Sequence, residues 1–291
     1  MYHRTSPSRP GHRGRGPVLL AVAHGSRDPR HAATVRALLR TVRARRPGLR
    51  VEVGFLDFDT PSVPAVLARL DEEGVRDVVA LPLLLTRAFH AKADIPAVLK
   101  QAPPGLRVRQ AGVLGPAPLL LAALERRLYE AGLDPADKAT TGVVLASAGS
   151  TDPEAGAVIA DIAREWRHTG WCAVRPAFAS ATSASAAASV TSASAPSFEG
   201  FPPTAEAVRL LRAEPGVRRV AVAPYVLAPG FLPDRIARGA AEAGADVLAG
   251  VLGDSPLVAR VLLDRFDACR RFTAGRSPAS AGAGNALSRP A

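Results

Sequence analysis

The chain carries an internal repeat. His24-Gly25-Ser26-Arg27-Asp28-Pro29 returns 124 residues later as Ala148-Gly149-Ser150-Thr151-Asp152-Pro153. Gly74-Val75-Arg76-Asp77-Val78-Val79-Ala80-Leu81-Pro82 returns 142 residues later as Gly216-Val217-Arg218-Arg219-Val220-Ala221-Val222-Ala223-Pro224. Two motifs recurring in the same order require one structural plan used twice, so the fold must be a pair of like units. The 18 additional residues between the motifs of the second half fall on Ser180 to Pro196, almost entirely Ala, Ser, Thr and Val. That composition reads as a low-complexity insertion in a loop.

Within each unit, apolar runs of strand length alternate with amphipathic stretches of helix length. In the first half the strands are expected at Val18–Ala23, Val51–Leu56, Val78–Leu85 and Leu106–Val113, with helices over Pro29–Arg45, Pro61–Glu73, Ala91–Gln101 and Pro116–Ala131. The second half repeats the order, with strands at Val143–Ala146, Ala173–Phe178, Val217–Leu227 and Asp246–Leu252. Its helices are expected over Pro153–Arg167, Thr204–Ala213, Leu232–Ala243 and Pro256–Cys269. Near-continuous Val/Leu/Ala strands belong to parallel sheets covered on both faces. The expected fold class is α/β: two similar doubly wound, parallel-sheet domains facing each other across a cleft. The expected organisation is a disordered basic N-terminus at 1–16, a first domain at 17–132, and a linker over Ala131–Thr141. A second domain follows at 141–269 with an Ala/Ser-rich insertion at 180–203, then a disordered tail at 270–291.

The net charge of +11 suggests nucleic acid until it is located. Residues 1–16 hold four arginines and residues 270–291 another four, neither segment with an acid, which leaves 29 basic against 26 acidic residues between 17 and 269. The body is therefore near neutral, as in an ordinary enzyme. Apolar stretches such as Pro17–Ala23 and Val78–Leu85 fall short of the ~20 residues a spanning helix needs, so neither a membrane span nor a secretory signal is expected. Cys172 and Cys269 form no CxxC pair and no disulfide framework, which fits a cytoplasmic protein.

Ligands of open parallel sheets bind at the carboxyl ends of the strands. His24 follows the first strand, Asp57 ends the second and His90 follows the third. Two imidazoles and a carboxylate suit Fe, Co, Ni or Zn, and they can equally accept protons near neutral pH. Singly, each has a plainer role. His24 can lead into a helix capped by Ser26 or Asp28 before Pro29, Asp57 with Asp59 can cap the helix at Pro61, and His90 can be a solvated loop side chain. The repeat separates these readings, because the counterparts are Ala148, Ala179 and Leu232 while the surrounding Gly, Ser, Asp and Pro are retained. One active site per chain, in the first half, is expected.

His24-Gly25-Ser26-Arg27-Asp28, Phe55-Leu56-Asp57 with Pro61, and Pro82-Leu83-Leu84-Leu85 running to His90 and Asp94-Ile95-Pro96 together resemble the CbiX/SirB family of sirohydrochlorin chelatases. The motifs cover about residues 17–130, and the second half resembles the degenerate repeat of the family's long members. The resemblance implies a lyase that inserts Fe(II) or Co(II) into sirohydrochlorin without ATP; the sequence has no GxxxxGK loop. It implies His24 and His90 as the catalytic, metal-binding and proton-accepting pair. It places Asp57 as a third metal ligand, one methylene shorter than the Glu the family commonly has. Ser26, Arg27, Arg87 and Lys92 would hold the eight carboxylates of the substrate, with Gly25 and Ser26 also shaping the turn.

No permanently bound cofactor is implied; the divalent metal is a substrate, Fe2+ first, Co2+ or Ni2+ otherwise. The tail Thr273–Ala291 has no His-rich or Cys-rich run, which favours iron insertion for sirohaem over cobalt insertion for cobalamin. The expected partner is sirohydrochlorin, with no nucleic acid and no membrane, acting on a monomer or homodimer. A non-catalytic metal or tetrapyrrole carrier is the alternative from a different class.

Overall fold

The computed structural model describes residues 16–87, 93–150, 152–180 and 200–274. His90, Lys92, most of the Ala/Ser-rich insertion and residues 1–15 and 275–291 lie outside the described residues. The first half runs β1 (Val18–Ala23), α1 (Pro29–Arg45), β2 (Val51–Phe55), α2 (Val63–Glu72), β3 (Asp77–Pro82), α3 (Ile95–Leu99), β4 (Arg107–Gln110) and α4 (Pro118–Glu130). A 3-10 turn at Pro135–Thr140, capped by Asp134, leads into β5 (Thr141–Ser147). Then follow α5 (Pro153–Arg167), β6 (Ala173–Phe178), α6 (Thr204–Arg212), β7 (Arg219–Tyr225), α7 (Phe231–Glu242), β8 (Val247–Leu248) and α8 (Pro256–Ala274).

Both sheets are four-stranded and all-parallel, in the orders β2-β1-β3-β4 and β6-β5-β7-β8, as the repeat requires. β3 stops at Pro82 rather than Leu85 because β1, its neighbour, ends one pair later at Ala23, and nothing beyond remains to pair with. At the edge of the second sheet β8 shrinks to two residues, paired only with Ala221 and Val222. Helix α8 runs five residues beyond Cys269, with the Arg270 guanidinium 5.6 Å from the Phe266 ring and Arg271 in the last turn, where cations favour the helix dipole.

Successive strand residues face opposite sides. Val18, Leu20 and Val22 of β1 point to a layer closed by α2 and α3 through Val63, Val66, Leu67, Leu70 and Ile95. On the second sheet, Val144, Ala146, Val220 and Val222 meet α6 and α7 in the same way. The opposite faces merge into one core common to both halves, where Leu19, Ala21 and Leu81 share a cluster with Val143, Leu145, Ala221, Trp166 and Phe266. Two helices make this possible by crossing over. The last helix of the first half, α4, packs on β7, and the last helix of the chain, α8, packs on α1, α4 and β3. Arg46 and Asp267 join α1 to α8 through two contacts of 2.6 Å. A shared apolar core therefore sets how the two sheets face each other.

Candidate active site

In the order β2-β1-β3-β4 the connections leaving β1 and β3 diverge, so the carboxyl ends of these two strands bound the crevice where such sheets bind ligands. His24 is the first residue after β1, and Leu83 to Thr86 follow β3. The same crevice in the second sheet is bounded by residues 147–150 and 225–233. Both open on one cleft of about 530 Å³, within the range of small-molecule sites. Tyr225 lies in its second-half wall with its hydroxyl 3.5 Å from the Leu85 carbonyl, and burial pushes the phenol far above its usual range, so it stays neutral.

The turn that presents His24 is built around one glycine. Gly25 has φ 95°, and a Cβ there would lie 1.8 Å from the Asp57 carbonyl oxygen. This close approach lets the Asp57 N–H donate to the His24 carbonyl at 2.9 Å and the Leu56 N–H to Ala23 at 3.0 Å. The Ser26 N–H donates to Asp59 Oδ2 at 3.0 Å, and Ser26 Oγ accepts from the Asp28 N–H at 3.1 Å. Asp28 then caps α1 by accepting from the Arg30 N–H at 2.9 Å, with Pro29 at the first helical position. The His24 ring is half-buried, its Nδ1 3.3 Å from the Gly25 carbonyl and its centroid 6.3 Å from that of Phe58. The Arg27 guanidinium lies 5.2 Å from the Phe58 ring centroid.

The structure places the expected residues unequally. His24 and Ser26 line the cleft, while Arg27, Asp57 and Arg87 are exposed on its first-half loops. The Asp57 Oδ1 accepts from the Phe58 N–H at 2.9 Å and so holds the turn at Phe58, whose φ is 59°. It is Asp59 that reaches back to Ser26. Among the described residues no three His, Cys, Asp or Glu side chains gather closely enough to hold a metal ion. His90 and Lys92 lie outside them.

Strand register corrects one pairing. Ala23 faces Phe55 and Ser147 faces Phe178, so Phe55 aligns with Phe178 and the counterpart of Asp57 is Ser180, not Ala179. The Ser180 N–H donates to the Ala148 carbonyl at 3.1 Å, just as Asp57 does to His24. The Phe-x-x pattern is too short to fix this register by sequence; the hydrogen-bonded ladder does. The second half thus exchanges a carboxylate for a hydroxyl, and the site still loses its charge there.

Sequence reasoning missed His31. It lies on the first turn of α1, lines the cleft and buries Nδ1 without a hydrogen-bond partner. Its signal was available, because the repeat sets His31 against Ala155, which lines the opposite wall. Burial lowers the His31 pKa below the usual imidazole value; nearby Asp59 raises it and His24 lowers it further. The folded state therefore holds this ring neutral, whereas the unfolded chain takes up a proton near pH ~6.5. Stability is expected to fall as pH drops below ~6.5 toward the folded value. Urea midpoints between pH 5 and 8 should show this slope, and His31→Leu should flatten it; an unchanged slope in the variant would assign the pH dependence to other groups.

The CbiX family model matches residues 18–131 and 201–269. A sirohydrochlorin cobaltochelatase of Priestia megaterium is 29% identical over 227 residues, which is 75% of this chain and 66% of the relative. A sirohydrochlorin ferrochelatase of Bacillus subtilis is 29% identical over 140 residues, 47% of this chain and 52% of the relative. The chain thus spans about two thirds or less of the length of these curated relatives. SirB from Bacillus subtilis with Fe3+ superposes with a TM-score of 0.73 at 23% identity, over 90% of this chain and 98% of that one, which shows the same fold. The repeated half-domains, the His24 turn and a family match covering most of the chain agree: this chain belongs to the CbiX family.

Proposed function

We propose that this chain is a sirohydrochlorin chelatase that inserts a divalent metal, Fe(II) first, into its tetrapyrrole without ATP. The observation that carries this reading is a cleft with imidazoles on one wall only: His24 and His31 line the first half where Ala148 and Ala155 line the second. The ferrochelatase and cobaltochelatase names of the relatives point to the same reaction.

Insertion exchanges two pyrrole N–H bonds for bonds from nitrogen to the divalent metal. Two protons leave and no electrons move. The imidazole of His24 accepts a proton at a ring nitrogen and passes it to water. His24, His90 and Asp57 are our choice for handing over the metal. Asp59, fixed by the Ser26 N–H, adds negative charge beside the imidazoles as the ion sheds water. Ser26, Arg27, Arg87 and Lys92 are our choice for holding substrate carboxylates, since guanidinium and ammonium groups match them. In this reading residues 17–132 form the catalytic domain and 141–269 the opposing wall. The protein works in the cytoplasm as a monomer or homodimer, apart from nucleic acid and membranes. The near-neutral body supports this, and no helix among the described residues is long and apolar enough to cross a membrane.

The test is anaerobic incubation of the full chain with sirohydrochlorin and Fe(II), Co(II) or Ni(II), followed by absorbance. Acceleration over the metal-only blank is expected, largest with Fe(II). A larger rate with Co(II) would move the assignment to cobalt insertion for cobalamin. Tight binding without acceleration by any metal would make the chain a carrier.

A further inference from the structure

We propose that Phe231 is a substrate-positioning residue whose ring lies against the conjugated macrocycle, so that the second half holds the tetrapyrrole flat opposite His24. The proposal rests on the chelatase reading and adds a role for the half that lacks the histidines.

Phe231 is the most exposed large apolar side chain among the described residues, at 74%. A scattered exposed apolar residue needs no explanation, but this one opens α7 on the wall of the cleft. Its position is fixed from both sides. Asp234, in the first turn of α7, pairs with Arg30 of α1 at 2.5 Å, and its N–H donates to the Gly230 carbonyl at 2.9 Å. Gly230 itself approaches the catalytic turn, for a Cβ there would lie 3.9 Å from Ser26 Oγ. The start of α7 is thereby pinned beside the His24 turn.

The repeat singles out the same residue. Phe231 stands 142 residues after Phe89, and Leu232 stands 142 residues after His90. The second half has given up the imidazole and kept the neighbouring phenyl. On the first half, Phe58 is 52% exposed beside His24. Exposed rings thus border the cleft from both halves. A flat conjugated ligand recovers the burial and stacking that an exposed phenyl forgoes in water, and a small hydrated metal ion recovers none of it.

The experiment uses the full-length protein with Phe231→Ala, Phe231→Leu and Phe231→Tyr. Metal-free sirohydrochlorin is titrated by its fluorescence, and KM is measured separately for tetrapyrrole and metal. Phe231→Ala is expected to weaken tetrapyrrole binding about 5- to 50-fold, as loss of a stacked ring should. KM for the tetrapyrrole should rise in parallel, with KM for the metal unchanged, Phe231→Tyr near wild type and Phe231→Leu between. Because the ring is exposed, the thermal midpoint should stay within a few degrees. Unchanged tetrapyrrole binding in Phe231→Ala, a shift in metal KM alone, or a change in sedimentation that places the ring in a contact between copies of this chain would each overturn the proposal. Wild type that binds the tetrapyrrole without inserting metal would instead overturn the chelatase reading, while the binding series would still decide the role of Phe231.

Discussion

His24→Ala is expected to slow metal insertion by about a hundred- to ten-thousand-fold, the range that removal of a placed general base gives. The loss should be chemical and not structural. The hydrogen bonds that hold the turn use the His24 carbonyl, which accepts from the Asp57 N–H, and the alanine keeps it. The second half makes the same bond with Ala148 in that place, so alanine suits the backbone. The thermal midpoint should therefore shift by only a few degrees. Added imidazole should restore part of the rate, because it returns a base of the same chemistry to the space left by the ring. His31→Ala should cost far less, since the ring keeps Nδ1 buried within the protein. Initial anaerobic rates under saturating metal measure this; a His24→Ala rate within threefold of wild type would remove His24 from the chemistry.

Gly25→Ala should be the most damaging single-methyl change in the site. The backbone conformation at φ 95° alone costs a non-glycine residue about 1–3 kcal/mol. The new Cβ would also lie 1.8 Å from the Asp57 carbonyl oxygen, a backbone atom that cannot rotate away. The β2 loop must then separate from the turn and break its bonds to His24 and Ser26, so stability should fall by about 2–4 kcal/mol. A misplacement of about 1 Å in a catalytic group lowers rate by roughly a hundredfold, and that loss is expected here. Gly149→Ala is the matched control in the second half. Its φ is 97°, but the first atom in the way is Ser180 Oγ, the end of a side chain that can turn. Stability should fall by about 1–3 kcal/mol from strain alone, with insertion rates within twofold of wild type. Denaturant midpoints and rates on the two variants together check this; equal rate losses would deny the first-half turn its special role.

Much of this molecule is legible in its sequence because parallel sheets write themselves as apolar runs. Val18 to Ala23 is buried at every residue, so it shows no alternation and announces a strand covered on both faces. The turn after it is equally plain, since Gly25, Ser26, Asp28 and Pro29 each have one local task and the repeat shows all four twice. His31 escaped notice because it stands one turn inside a helix whose buried stripe of Ala32, Val35, Leu38, Leu39 and Val42 dominates the pattern. Asp57 and Asp59 are two residues apart and chemically alike. Only the fold of their loop decides that Asp59 reaches Ser26 while Asp57 serves the Phe58 N–H.

The sequence by itself determined the duplication, the two parallel sheets and the half that bears the histidines, because strand burial, turn chemistry and the exchange of His24 for Ala148 are local facts. What the tertiary structure decided is how the halves meet. The crossing of α4 and α8 and the common core around Trp166 and Phe266 join residues more than a hundred positions apart, and apolar packing is non-directional, so no local pattern encodes it. That packing brings Gly230 to Ser26, sets Phe231 at the cleft, and turns two separate sheet edges into one site.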